Sequence, residues 1–550
     1  MKKLIVLVAA FVFACAVIAG CSPAAPSSSA SSSSQSQSSS ADKSQVVVAM
    51  SAGSAPEKGF NPVYGWGDGE HVHEPLIQST LITTDENLNF ANDLATGYDV
   101  SADGLTWTFK IRIDAKFTDG KALTAHDVAF TINQIVNATG SEADLSMVEK
   151  AEATDDATAV IHLNKPFNAL LYSLAVTGIV PEHAYGDKYG IDPKATVGSG
   201  RYMLEQFDEG EQAILVANPD YYGEAPKMQR VVVLFMEEDA ALAAVRSGNA
   251  DVAYTSAVYS DTKVDGYSLA AYDSVDCRGI SMPVPPAGSP EREDATVGKV
   301  KVGNDVTSDR AFRQAVNYGV DRAKLVDDIL NGYGEPAYSV ADGLPWASSA
   351  MMCETDVAKA KQIMEAGGWA LGSDGIYAKG GLRASAKLYY PASDSVRQAF
   401  ANEFANQMKA LGIEITPVGS SWDGADSIYE HEYTDMVLWG WGANSPNQLY
   451  SLYYSTSDSN FACYGSPTVD AYMDQALAAP AVADSYELWQ KAQWDGTSGV
   501  APQGEATWVW LANIEHLYFV KDGLQVAHQK PHPHGHGWSL LNNVDQWTWK

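Results

Sequence analysis

The sequence predicts an α/β protein of two or three domains, and three observations carry that reading. The chain has 550 residues, too many for one hydrophobic core. From residue 308 onward, apolar runs with a helical period interleave with short strand-like runs. Ahead of them, alternating and β-branched segments are separated by Gly, Asn and Asp turns. Formal charge is −32, from 36 basic and 68 acidic residues. A surface so acidic repels nucleic acid, and no Lys/Arg cluster offsets it. The same charge argues against attachment to an anionic membrane by electrostatics.

Residues 1–20 read as a signal segment. Lys2 and Lys3 form its basic start, and Leu4 to Val17 form an apolar core too short for a dependable membrane span. It ends in Ile18-Ala19-Gly20-Cys21, which resembles a bacterial lipobox with isoleucine where leucine is usual. The resemblance implies cleavage before Cys21 and a diacylglycerol on its sulfur, an anchor on the outer side of the cell membrane. Losing Lys2 and Lys3 takes the charge from −32 to −34. Residues 21–44, nearly all Ser, Ala, Pro and Gln, predict a disordered tether with a reach of about 25 Å. Beyond Cys21 the mature chain holds Cys277, Cys353 and Cys463. That odd number allows at most one bridge, and a Cys353–Cys463 pair stays open.

The folded body begins with a strand at Gln45–Ser51, then a turn-rich loop over 59–69 with Phe60, Tyr64 and Trp66. Thr106 to Ile113 alternates, with Trp107, Phe109, Ile111 and Ile113 on one face. Thr124 and Asp127 form a capping-box start, and Val128, Ile132, Ile135 and Val136 share a helical face behind it. Ala159–Leu163, Arg201–Phe207, Ala213–Val216 and Arg230–Met236 read as strands. Asp239 caps a short helix, and 260–271 reads as irregular. The Pro/Gly-rich stretch 282–288 suits a crossing between domains. Four helices follow, opened by Ser308, Asp321, Thr355 and Asp394; the last carries Phe400, Phe404, Met408 and Leu411 on one face and stops at Gly412. Ile413–Thr416 returns as a strand, and Thr507–Val520 is aromatic and strand-like.

Asp435 to Tyr454, DMVLWGWGANSPNQLYSLYY, stands apart. Met436–Trp439 reads as a buried strand that breaks at Gly440 and Gly442 into the polar turn Asn444-Ser445-Pro446-Asn447. Glycine lets a backbone approach a ligand, and tryptophan gives a large rigid surface. The stretch suits a cleft wall; a core strand capped by a surface loop is the alternative.

Several long stretches resemble one family. DGLTWTFKIRIDAKFTDGK (103–121), followed by Leu123 to Val128, is similar to the signature of family 5 solute-binding proteins, the oligopeptide, dipeptide and nickel binding components of ABC importers. GSGRYMLEQFDEGEQAILVANPDYYG (198–223), DRAFRQAVNYGVDRAKLVDDILNGY (309–333) and the 435–441 strand fit the same family. The resemblance implies a two-lobed, class II clam-shell α/β fold. Lobe I would comprise 45–80, 196–283 and 505–550, a small accessory domain 81–195, and lobe II 284–504. It implies a monomer that captures a short peptide or similar small solute between the lobes and delivers it to an ABC permease, with no cofactor and no catalysis.

Carried over position by position, the resemblance makes Trp439 and Trp441 cleft aromatics, and makes 276–280, with Arg278, a first-lobe strand that offers backbone to the ligand. Tyr64, Trp66, Asn444, Ser445 and Asn447 complete the candidate ligand contacts. Dipeptide-binding relatives place an aspartate soon after the Gly-Trp pair to meet the peptide's amino group, whereas 442–448 holds no acid. Asp68, Glu70, Asp423 or Asp426 could substitute.

Histidines keep a metal or nickel-chelate reading open. His71 and His73 flank Val72, and His532, His534 and His536 alternate with Pro and Gly. A secreted hydrolase is the reading from another class. It lacks a nucleophile elbow, HExxH, phosphate-binding glycine loop or CxxC zinc set.

Overall fold

A computed structural model describes residues 43–68, 72–294, 297–422, 427–535 and 537–550. The signal segment, Cys21 and nearly all of the tether lie outside them. Among the described residues no helix is long and apolar enough to cross a membrane.

Three sheets organise the chain. A seven-stranded sheet runs in the order Tyr267–Tyr272, His516–Lys521, Val252–Thr255, Gln45–Ser51, Arg230–Met236, Gln212–Ala217, Tyr202–Asp208. Its centre is parallel: Gln45–Ser51 pairs with Arg230–Met236 on one side and Val252–Thr255 on the other. A second sheet has six strands, in the order Gly334–Pro336, Trp508–Ile514, Cys277–Ser281, Met436–Trp441, Ser385–Pro391, Glu414–Ser420. The helices Arg310–Gly319, Arg322–Leu330, Val357–Ala366 and Ser395–Leu411 supply most of the remaining core on one of its faces. The third, antiparallel sheet has four strands (Ala95–Val100, Thr106–Ile111, Thr158–Leu163, Val148–Asp155) and packs against the helix Ala125–Asn137.

Most elements form where the residue pattern places them. The Thr124–Asp127 capping box closes, with the Thr124 N–H donating to the Asp127 carboxylate at 2.9 Å. Phe400, Phe404, Met408 and Leu411 are buried along one stripe, and Gly412 ends their helix at φ +100°. The differences have local causes. Ile113 lies past the end of its strand and is 82% exposed. Asp309, not Ser308, caps its helix, because its carboxylate reaches the N–H groups of Ala311 and Phe312. The helix expected after Asp239 starts at Glu238. Tyr267–Tyr272, read as irregular, is an edge strand. Its residues are half-buried or exposed without apolar alternation, and pairing with His516–Lys521 makes it a strand.

The chain passes between the two large sheets at 273–276 and again at Glu515. Cys277–Ser281 therefore lies inside the six-stranded sheet, paired with Met436–Trp441 on one side and Trp508–Ile514 on the other. Its N–H and C=O groups are used in those ladders, which corrects the expectation that it offers backbone to a ligand. Cys277, Cys353 and Cys463 are all unpaired, and Cys353 and Cys463 pack in different cores.

Just ahead of the strand Met436–Trp441, Glu432 is 1% exposed, and its Oε1 has no hydrogen-bond partner among the described residues. Burial and the nearby Asp294 push its carboxyl up to about 9, with Arg292 pulling the other way. A carboxyl raised in the folded state favours folding in its protonated form, so stability falls as pH rises between the ordinary glutamate value and about 9. Glu432→Gln removes this penalty. The variant should melt at least about 2 °C above the parent at pH 8, and the gap should close towards pH 4.5 in thermal scans.

Candidate functional site

The last residues of the strand Met436–Trp441 line a cavity of about 1230 Å³. Gly440 does not break the strand; it is part of it, opposite Arg278 in the neighbouring strand. Successive strand residues face opposite ways, so Trp439 and Trp441 share one side and Gly440 takes the other. A side chain at 440 would run into the guanidinium groups of Arg278 and Arg397 and the His534 ring. The glycine thus leaves a notch in which these groups sit.

On the tryptophan side the wall is aromatic. Trp439 meets Trp422 edge-on at 5.2 Å and Phe461 at 5.8 Å, and Trp441 lies 5.7 Å from Phe461. Tyr429 adds a third ring against Trp439 at 6.2 Å. Such a surface takes apolar and flat groups with little entropy loss.

On the glycine side the wall is cationic. Arg278 is ion-paired to Asp276, and Arg397 Nη1 donates to Asp394 Oδ2 at 2.7 Å. Asp394 also accepts from the Arg397 N–H, so one carboxylate both caps the helix Ser395–Leu411 and aims its first basic side chain. Burial and the Arg278 charge push Arg397 down to about 10, still cationic at neutral pH. The Nε atoms of both arginines have no partner among the described residues. Asp276 is fully buried, which alone would raise its pKa. Arg278, His534 and His516 outweigh that and hold it well below the usual carboxylate range. Its Oδ1 accepts from His534 Nδ1 at 2.5 Å.

Elsewhere on the wall the charge is reversed. Asn447 Nδ2 donates to Asp144 Oδ2 at 2.5 Å, and the Asp144 N–H donates to Asp68 Oδ2 at 3.0 Å. Burial pushes the Asp144 carboxyl up. Lys530, also on the wall, is paired with Glu74.

Of the residues singled out from sequence, Arg278, Trp439, Trp441, Asn444, Ser445 and Asn447 all reach this cavity. Tyr64 and Trp66 do not. They line a side pocket of about 180 Å³, and Trp66 belongs to a core cluster with Phe60 at 4.5 Å and Trp538 at 4.8 Å. Among the histidines, His73 and His534 reach the cavity and His532 is buried behind it. His71, His536, Glu70, Asp423 and Asp426 lie outside the described residues. Among the described residues no group of three His, Cys, Asp or Glu is placed to hold a metal ion. Sequence reasoning missed Arg397, Asp394, Asp144, Trp422 and Tyr429. Asp394 announced itself as a helix start, but nothing local marks Arg397 as facing a cavity.

Comparison with known proteins agrees with this architecture. Residues 89–462 match the bacterial extracellular solute-binding proteins, family 5 (middle region). Protein XP55 of Streptomyces lividans is 33% identical over 501 residues, covering 86% of this chain and 85% of that protein. The oligopeptide-binding protein AppA of Bacillus subtilis is 26% identical over 445 residues, covering 76% of this chain and 78% of its own. The structure of NikZ from Campylobacter jejuni in complex with Ni(L-His) superposes with a TM-score of 0.74 at 21% identity, covering 92% of this chain and 99% of NikZ. That likeness extends the two-lobed fold to nearly the full chain. With the family match spanning most of the described body, the chain belongs to the family 5 bacterial extracellular solute-binding proteins.

Proposed function

We propose that the cavity captures a short peptide that carries a free carboxylate, for delivery to an ABC permease. The observation that carries this is the pair of Arg278, buried, and Arg397, half-buried, side by side over Gly440 on the cavity wall. Two cationic guanidinium groups in a protected site favour a planar anion such as a carboxylate. Asp144 and Asp68, elsewhere on the same wall, offer a counterpart for an amino group, in the role that the turn after Trp441 leaves empty. Trp439, Trp441, Trp422 and Tyr429 receive apolar parts. At about 1230 Å³ the cavity exceeds the roughly 300–1,000 Å³ of an ordinary small-molecule pocket, which suits several linked residues.

The seven-stranded sheet is assigned to lobe I, the four-stranded sheet to the accessory domain and the six-stranded sheet to lobe II, closing on the ligand about the 273–276 and Glu515 crossings; Cys277–Ser281 and Trp508–Ile514 thereby move out of the lobe I bounds expected from sequence and into lobe II. The protein is a monomer held at the outer membrane face through lipid on Cys21. A metal chelate is the second reading. His534 on the wall favours it, and the arginine pair would hold the chelator's carboxylates.

Mass spectrometry of solute that co-purifies with the native protein tests this assignment. Thermal shifts with nickel plus a chelator, and none across a peptide library, would overturn the peptide reading. Arg397→Met should weaken binding of a free-acid peptide by about ten- to a hundredfold and leave its carboxy-amidated form unaffected in calorimetry. An equal loss for both forms would remove the carboxylate role. Trp441→Ala should weaken binding while the protein still melts cooperatively; unchanged affinity would return this strand to a purely structural part.

A further inference from the structure

Two histidines lie behind the cavity where the chain crosses between the large sheets. Three segments meet there. The His532 N–H donates to the Asp273 carbonyl at 2.9 Å, the Val275 N–H to the His532 carbonyl at 2.8 Å, and the Ile514 N–H to the Asp276 carbonyl at 2.9 Å. His516 and His532 are both buried in this junction.

The hydrogens of this network are fixed from its two ends. At one end the Trp547 indole N–H, which can only donate, lies 2.9 Å from Asn543 Oδ1, while Asn543 Nδ2 donates to the His528 carbonyl at 2.7 Å. Asn543 Oδ1 therefore also accepts from the Gln529 amide nitrogen at 2.8 Å, and that nitrogen donates to the Ala527 carbonyl at 3.0 Å as well. Gln529 Oε1 is then the atom 3.2 Å from His532 Nε2, which must carry a hydrogen. At the other end Asp276 Oδ2 lies 3.2 Å from His516 Nε2. Asp276 is an ionised acceptor, so this nitrogen carries a hydrogen too. Between the rings the two Nδ1 atoms are 3.2 Å apart, and one hydrogen must stand between them, because two lone pairs would repel. Three ring hydrogens on two imidazoles amount to one positive charge.

We infer that His516 and His532 share a single imidazolium charge at neutral pH, and that this pair is the counter-charge through which Asp276 positions Arg278 and His534 at the cavity. The charged and titratable groups facing the pair are Asp276, Arg278 and His534 towards the cavity, with Lys530 and Tyr272 beside His532. Burial holds His516 below the ordinary histidine range, with the Asp276 carboxylate pulling the other way, so the shared charge rests on the hydrogen count across both rings. Burial, His516 and Lys530 hold His532 well below the ordinary histidine range, so the pair does not take a second charge. The single Asp276 carboxylate then faces the shared proton on one side and the Arg278 guanidinium and the His534 ring on the other. This inference does not depend on which solute is bound.

Ring-nitrogen NMR of the histidine-selectively ¹⁵N-labelled full chain tests it. At pH 7.5, where an ordinary histidine with a pKa of about 6.5 is mostly neutral, the two rings should hold three protonated nitrogens. Two neutral rings holding two would overturn the inference. Gln529→Glu sets a carboxylate against His532 Nε2 and should move loss of the shared proton up by about one pH unit; no movement would overturn it. His532→Gln identifies the signals, and if that variant fails to fold, the displacement in Gln529→Glu identifies them instead. The His534 ring should register a step at the pH where the pair loses its proton, and its absence would refute the positioning role.

Discussion

The buried Asp276 carboxylate is the interaction on which the rest of the site depends. It has no exposure to water, and an isolated charge there would be very costly. The structure resolves this by surrounding it with Arg278, His516 and His534, drawn from three separate parts of the chain. Each of those partners belongs to a different structural task. Arg278 sits in the six-stranded sheet, His516 begins the strand that returns to the seven-stranded sheet, and His534 lies on the cavity wall. One carboxylate thus ties the crossing between the sheets to the binding surface, and any change in its charge is felt by both.

The strand Met436–Trp441 complements it. Its pleat separates two chemistries within a few ångströms of backbone: aromatic surface on the tryptophan side and guanidinium charge on the glycine side. Aromatic rings from this strand and guanidinium groups from the neighbouring strand and the helix Ser395–Leu411 therefore stand side by side on the cavity wall. Rigid sheets hold such a constellation better than loops do, because their hydrogen-bond ladders leave little freedom at each position.

Much of this was legible in the sequence. The helical stripe ending at Leu411, the capping box at Thr124 and the strands Gln45–Ser51 and Arg230–Met236 are local patterns, and local patterns are what periodicity reports. The Trp439–Asn447 wall was legible because aromatic, glycine and amide residues cluster within a short span. Arg397 and Asp144 were not, because each lies far along the chain from that wall and only tertiary packing brings them to it. Edge strands were the other blind spot: Tyr267–Tyr272 buries too little to alternate, and its partner decides its conformation. The place of Cys277–Ser281 in the six-stranded sheet depends on partners on both sides, neither of which is near in sequence.

The three unpaired cysteines have a consequence for how this protein is made. No covalent cross-link among the described residues holds the fold, so no oxidase or isomerase is needed to reach it. Cys277 and Cys353 are buried, and burial raises their thiols above the range where the reactive thiolate forms. The body of the protein is in this sense indifferent to the redox state of its surroundings, and a reducing cytoplasm and an oxidising exterior should yield the same fold.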